Sequence, residues 1–473
     1  MAADRVLTLI GHPVVGKVSS PCGPENPYFR RKESSVTKMG EASQAVLQLD
    51  KKTKASRTRE ILWKLGPGLI TGAADDDPSG IATYSQVGAQ FGYGMLWTTL
   101  FSFPLMAGIQ EISARIGRVS GLGIAGNIRL HFPKPSLFII VFLLLTANIF
   151  NLGADIGAMA AAMTLLLPGS STIYVILLGC VCVGLQVFVP YTSYVKYLKW
   201  LTAALFAYVV TAIYLHEPRW EAIRATFVPS LSFRGNSLTA LIAVLGTTIS
   251  PYLFFWQASQ EVEEVTINAD EFPLKKAPEQ APAQFQRIKF DTYFGMFVSN
   301  MVAFFIILTT AATLHAHGIT EIQTADQAAR ALEPLAGRFT FILFALGILG
   351  TGLLAVPVLA GSAAYGVSET FQWTASLEKK PNRALRFYAT IGVATLVGLL
   401  LNFVHLNPIK ALFWSAVFNG VVAGPVMVFM MLLARNSRVM GQFRLPTYLR
   451  IIGWLTTAVM VLASIGMIAT MLR

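Results

Sequence analysis

Long apolar runs separated by short polar turns recur along most of the chain. A helix that crosses a bilayer needs about 20 predominantly apolar residues. On that measure eleven spans are expected, near 66–92, 93–116, 136–166, 172–188, 194–214, 237–257, 292–314, 339–358 (with an extension to 371), 387–404, 411–433 and 448–472. The predicted fold class is therefore an all-α integral membrane protein. A polar loop with Glu217, Arg219, Glu221 and Arg224 follows the fifth span. A longer one, 261–289, is rich in acid, Pro and Gln and is expected to be flexible and cytoplasmic. Residues 1–60 are polar, with scattered Pro and Gly and a basic run at 51–57, and are expected to form a disordered cytoplasmic tail resting against anionic lipid. No cleavable signal peptide is expected. The transporter domain is expected over 61–473, with one repeat at 62–215, a second at 236–433 and a last helix at 447–472.

Two spans break the apolar pattern. The first carries Asp75, Asp76 and Asp77, then Pro78-Ser79-Gly80. A charge at the centre of a spanning helix costs about 2.5–3.5 kcal/mol and so needs a compensating role. Proline lacks a backbone donor and glycine is a poor helix former, so the helix is expected to unwind from Asp77 to Gly80. Broken backbone at membrane depth is tolerated where it lines a cavity or is buried in protein. Carboxylates beside freed carbonyls make a cation site. A plain loop between two short hydrophobic segments is the competing reading, but each flank is too short to span alone. The sixth span is interrupted in the same way, by Thr247-Thr248-Ile249-Ser250-Pro251-Tyr252. A simple proline kink in one packed helix is the competing reading, and the less favoured of the two. Paired with the first break, five spans earlier, this interruption points to a binding site at the interface of inverted repeats.

Composition narrows the class further. Hydrophobic residues make up 54% of the 473 and charged residues 13%, which excludes an ordinary soluble protein. The net charge of +12 does not indicate a nucleic-acid partner, because the basic residues cluster in short loops beside apolar segments. Those loops set the orientation. Arg115, Arg118, Arg129, Lys134, Lys275, Lys379, Arg383, Arg435, Arg444 and Arg450 are among the cations after the even-numbered spans, and the opposite loops hold far fewer. An excess of Lys and Arg marks cytoplasmic loops, so the N-terminus is expected inside and the C-terminus outside a plasma membrane. Cys180 and Cys182 read as small hydrophobes, and His315 and His317, two residues apart, as surface residues rather than ligands.

Gly66-Pro67-Gly68 followed by Asp77-Pro78-Ser79-Gly80 resembles the first helix of the NRAMP family of divalent-metal transporters, whose motif there is Asp-Pro-Gly-Asn. Thr247 to Tyr252 resembles that family's sixth-helix motif, Ala-x-x-Met-Pro-His. The resemblance covers roughly 60–472. It implies two inverted five-helix repeats of the LeuT-like kind, with helices 1 and 6 broken, plus one extra helix. The departures are specific. The family's asparagine ligand is Gly80 here, its methionine ligand Ser250, its histidine Tyr252, and the alanine that lends a carbonyl Thr247. In the third span Asp155 matches a family acid of the proton route, while neighbouring acid positions read Asn148 and Ala158. In the tenth span a glutamine position reads Asn419. The pattern is similar to the NRAMP-related magnesium transporters.

The metal set implied is Asp77, the Thr247 carbonyl, Ser250, Asn419 and Asp76, with Gly80 widening the cavity. Thioether sulfur selects softer ions, and an all-oxygen set suits Mg²⁺, Ca²⁺ or Mn²⁺. A wide site with one or two carboxylates fits an ion that keeps several waters, as Mg²⁺ does. The expected function is transport of a hard divalent cation, Mg²⁺ and/or Mn²⁺, into the cytoplasm by alternating access with little or no proton coupling. Two alternatives stay open: a proton-coupled Mn²⁺/Fe²⁺ symporter, and a sodium-coupled transporter of an organic solute. Three carboxylates would repel the substrate carboxylate of the latter. No paired His/Glu zinc motif, phosphate loop or nucleophile elbow supports an enzyme. The partners expected are the transported ion, which is cargo rather than a cofactor, and membrane lipid.

Overall fold

Among the described residues, the spans of high hydropathy fold as helices. A computed structural model describes residues 67–189, 202–215, 219–230, 235–404 and 407–472. The tail at 1–60, the first half of the fifth span, Glu217 and Arg234 lie outside the described residues. The helices are α1 (Pro67–Asp75), α2 (Pro78–Phe91), α3 (Trp97–Ser120), α4 (Ile124–His131), α5 (Lys134–Leu166), α6 (Ser171–Phe188), α7 (Phe206–Tyr214) and α8 (Arg219–Phe227). They continue as α9 (Gly235–Thr248), α10 (Pro251–Ile267), α11 (Ala281–Thr313), α12 (Thr340–Phe371), α13 (Leu385–Leu401), α14 (Pro408–Arg435) and α15 (Thr447–Met471), with short helical turns between. Among the described residues, eight helical stretches are long and apolar enough to cross a membrane. The broken first span, the more polar α3 and the half-described fifth span are the other three of the eleven expected.

Proline placement explains the first break, and corrects where it lies. The helix unwinds at Asp76 and Asp77, not from Asp77 to Gly80. Pro78 opens α2, because the missing N–H of proline costs nothing at the first helical position. Gly80 sits in the first turn of α2 and donates its N–H to Asp77 Oδ1 at 2.7 Å. Pro251 opens α10 in the same way, with Ile249 and Ser250 between it and α9.

The packing repeats between the two halves. The broken pair α1–α2 lies along α11, and α10 of the second broken pair lies along α3, while α9 packs mainly on α14. That exchange is what an inverted repeat predicts. The first contact is backbone on backbone: a Cβ on Gly72 of α1 would sit 2.4 Å from the carbonyl of Gly295 in α11. At the α9–α14 crossing, a Cβ on Gly246 would sit 2.1 Å from the Ala416 carbonyl. Outward, Phe138 and Phe142 of α5, Ile173 of α6, Val393 of α13 and Leu462 of α15 are exposed apolar side chains. A belt of that kind faces lipid.

The 261–289 segment is not a flexible loop. Glu261 and Glu264 lie in α10, and Arg287 and Lys289 in α11. Arg287 bridges to Glu261 at 2.5 Å and to Glu264 at 3.1 Å, which holds the two helices together beyond their apolar portions. The shorter connection that remains is pinned by Leu274 N–H donating to the Arg118 carbonyl at 3.1 Å. The charge run reads as a loop in sequence because its pairing is long-range. His315 and His317 are exposed, as expected.

Candidate metal centre

The three aspartates divide at the first break. Asp77 ends the unwound stretch with extended backbone (φ −66°, ψ 170°) and caps α2. Its Oδ1 accepts from the Gly80 N–H at 2.7 Å and the Ser79 hydroxyl at 2.6 Å. Its Oδ2 accepts from Asn151 Nδ2 of α5 at 2.8 Å. Asp75 and Asp76 turn instead to α11, where the Ser299 hydroxyl lies 2.7 Å from Asp75 Oδ2 and 3.1 Å from Asp76 Oδ1. All three are buried. Asp77 thus faces α5, while Asp75 and Asp76 share one hydroxyl on α11.

The second break supplies neutral oxygens. Ser250 has extended backbone, and its hydroxyl donates to the Gly246 carbonyl at 2.7 Å and the Thr247 carbonyl at 2.9 Å. The donated proton leaves the hydroxyl oxygen's lone pairs available. The two breaks are tied directly: the Tyr252 phenol, in the first turn of α10, donates to the Ala74 carbonyl at the end of α1 at 3.0 Å. Thr71 of α1 and Gln257 of α10 meet at 2.5 Å. The C-terminal end of α1 and the N-terminal end of α10 thus meet, which brings the C-terminal carbonyls of one near the N-terminus of the other.

Helices α5 and α14 complete the walls. Asn419 of α14 lies beside the Gly246–Gly420 crossing and is buried with neither amide atom hydrogen-bonded. Asn151 Oδ1 and Asp75 Oδ1 are likewise buried and unpaired, and Asp155 is buried with the Ser79 backbone N–H as its near partner. Buried polar atoms are nearly always paired, so such a group points to water or an ion as the missing partner. Asp155 lies one helical turn beyond Asn151 and within electrostatic reach of Asp77. Asn148 is turned away, donating to the Leu359 carbonyl and the Ser362 hydroxyl of α12. A Cβ on Gly80 would lie 3.3 Å from the Asp75 carbonyl and 3.5 Å from Asp77 Oδ1, so a side chain there would enter the break.

Among the described residues no three His, Cys, Asp or Glu side chains form a ready-made metal cage. The arrangement is instead carboxylate, amide, hydroxyl and carbonyl oxygen, the donor set of hard cations. Sequence reasoning missed two contributors. Asn151 was visible on the same helical face as Asp155. The bridging role of Tyr252 had no sequence signal, because its partner is a backbone carbonyl 178 residues away.

Known proteins resemble the chain over most of its length. The divalent metal cation transporter MntH of Klebsiella pneumoniae strain 342 is 26% identical over 415 residues, which cover 84% of this chain and 91% of that protein. A crystal structure of the Eremococcus coleocola manganese transporter, bound to an aromatic bis-isothiourea substituted compound, superposes with a TM-score of 0.69 at 19% identity, over 88% of this chain and 87% of that one. Mhp1, a nucleobase-cation-symport-1 family transporter in a closed conformation, superposes at 0.52 with 14% identity, over 86% and 93%. The two structures share the fold. These relatives are transporters rather than enzymes. The model of the natural resistance-associated macrophage protein-like family matches residues 68–470, and the chain belongs to that family, Nramp.

Proposed function

We propose that this protein carries a hard divalent cation, Mg²⁺ or Mn²⁺, into the cytoplasm by alternating access. The ion is held by Asp77, the Thr247 carbonyl, Ser250 and Asn419, with Gly80 leaving room for retained water; Asp76, expected in the set, faces Ser299 of α11 instead. The observation that carries this reading is the donor chemistry. Two helix breaks, joined by the Tyr252–Ala74 hydrogen bond, offer only oxygen at the positions described. Oxygen ligands favour Mg²⁺, Ca²⁺ and Mn²⁺ over softer ions.

The two ends of the molecule support the route. Beyond the C-terminal end of α2, a cavity of about 680 Å³ is lined by Gln86, Gln90, Asn236, Glu321, Lys410 and others. With the N-terminus inside, this vestibule faces outward. At the other end the Arg287–Glu261–Glu264 and Arg118–Glu271 ion pairs and the Glu111–Arg115 pair close the cytoplasmic side. The vestibule does not reach Asp77, Ser250 or Asn419, which are buried, so the site is closed from both ends in this state.

Proton coupling is weak or absent in this reading. The histidine position of the sixth helix is Tyr252, whose proton is engaged on Ala74, and Asn148 does not titrate. On the third span Asp155 supplies a buried acid within electrostatic reach of Asp77. That same acid, with the manganese and divalent-cation names of the relatives, favours the second reading, a proton-coupled Mn²⁺ symporter. Uptake of Mg²⁺, Mn²⁺ and Cd²⁺ into proteoliposomes, with internal pH recorded, separates them. Mg²⁺ and Mn²⁺ uptake at constant pH is expected. Acidification that scales with metal and vanishes in Asp155→Asn supports the symporter.

A further inference from the structure

A second cavity lies at the end of α14 opposite the vestibule. Its volume is about 330 Å³, room for roughly ten waters at ~30 Å³ each. Arg435, at the last turn of α14, Arg444, on the connecting segment, and Arg450, in the first turn of α15, all line it, together with Ser437 and Trp454. The ion pairs among the described residues engage other cations, and none involves these three. Arg450 reaches the Thr447 hydroxyl at 3.5 Å, a long contact. Lys275 adds positive charge close by, its ammonium donating to the Arg438 carbonyl at 2.7 Å. All three are exposed, so their guanidinium groups are open to an anion that enters the cavity from outside the bundle. The planar fork of arginine matches phosphate oxygens two at a time.

The surroundings choose the kind of phosphate. Next to the cavity, α15 exposes Ile451, Trp454 and Leu455, and α14 exposes Leu432. These apolar side chains belong to the belt that faces lipid. Tryptophan collects at the boundary between hydrocarbon and water. The cavity therefore opens where the charged end of the bundle meets acyl chains. A free phosphate would satisfy the arginines and leave that apolar border without a partner. A lipid with a choline head would bring a cation to three guanidinium groups.

We propose that this cavity binds the head group of an anionic phospholipid, with Arg435, Arg444 and Arg450 on the phosphate and the acyl chains along α14 and α15. The lipid joins the end of the helix that carries Asn419 to α15, which packs against α14, α3 and α9.

Native mass spectrometry of the full chain in detergent tests this, with phosphatidylglycerol, phosphatidylcholine and inorganic phosphate as separate probes. Retention of one phosphatidylglycerol in preference to phosphatidylcholine is expected. Each single substitution, Arg435→Gln, Arg444→Gln or Arg450→Gln, is expected to weaken it about 5-fold, and the triple substitution about 100-fold. The triple Arg→Lys variant keeps charge but loses the fork, and should fall between. The singles keep the test open if the triple Gln variant is not monodisperse. As a control, Lys379→Gln/Lys380→Gln/Arg383→Gln removes three cations from another basic loop and should leave binding unchanged. Wild-type retention in the triple Gln variant, or an equal loss in the control, would overturn the proposal. Phosphate binding with the same arginine dependence and no phosphatidylglycerol retention would overturn the lipid assignment.

Discussion

Asp77 is fixed before any ion arrives. One oxygen caps α2 and the other is held by Asn151, so the carboxylate needs no reorganisation to meet a cation. Ligands held in place by such outer hydrogen bonds bind more tightly than loose ones. Selectivity at this scale depends on what Gly80 and Ser250 lack. Gly80→Asn together with Ser250→Met puts an amide and a thioether into the break and releases the Thr247 carbonyl from its hydroxyl partner. Cd²⁺ affinity should rise, because soft sulfur gains more from Cd²⁺ than from Mg²⁺. Calorimetry checks it, and unchanged Cd²⁺ binding counts against Ser250 facing the ion. Tyr252→Phe removes the donor to the Ala74 carbonyl and leaves a buried acceptor unpaired, a loss of about 1–3 kcal/mol. A thermal melt should show a lower midpoint. An unmoved midpoint would mean that the bond does not hold the breaks together.

At the scale of elements, the half-helices work as pairs because glycine lets their backbones touch. Gly246→Val would push a branched side chain into the Ala416 carbonyl and part α9 from α14. Overpacking of this kind costs about 1–3 kcal/mol, and it displaces Asn419 as well. Reduced stability with transport lost is expected, read by melting and uptake on the same sample. Normal transport by the Gly246→Val protein would show that the crossing is not part of the site. The apolar runs make the helices legible, since hydropathy over a span is a strong local signal. So are the two breaks, although Pro78 reads as part of the unwound stretch when it is the first residue of the next helix. Asn151 and Ser299 are not legible as partners of the aspartates, because their contacts cross between helices far apart in sequence. The acidic run after Ser259 reads as a loop for the same reason. Glu261 becomes helical only when Arg287, 26 residues on, is seen beside it.

In the described bundle the larger cavity lies at one end and the more buried ion pairs at the other, and the proposed transport cycle requires the ion-paired end to open. Glu261 is fully buried, so removing its partner leaves an uncompensated charge, at about 3–5 kcal/mol. Arg287→Gln should therefore favour opening of the cytoplasmic end. Labelling of a Thr71→Cys reporter by an impermeant thiol reagent from that side should increase, and unchanged labelling would remove the ion pairs from the gate. In the proposed uncoupled reading the membrane potential is the driving force. It contributes about 2.3 kcal/mol per charge per 100 mV, or roughly 4.6 for a divalent ion. The central claim is that this ion passes between the two breaks on Asp77. Its most direct test is Mn²⁺ uptake into proteoliposomes by the wild-type protein and by Asp77→Ala, both shown to be monodisperse. The account predicts saturable uptake in the first and none above empty liposomes in the second. Wild-type uptake by Asp77→Ala would contradict it.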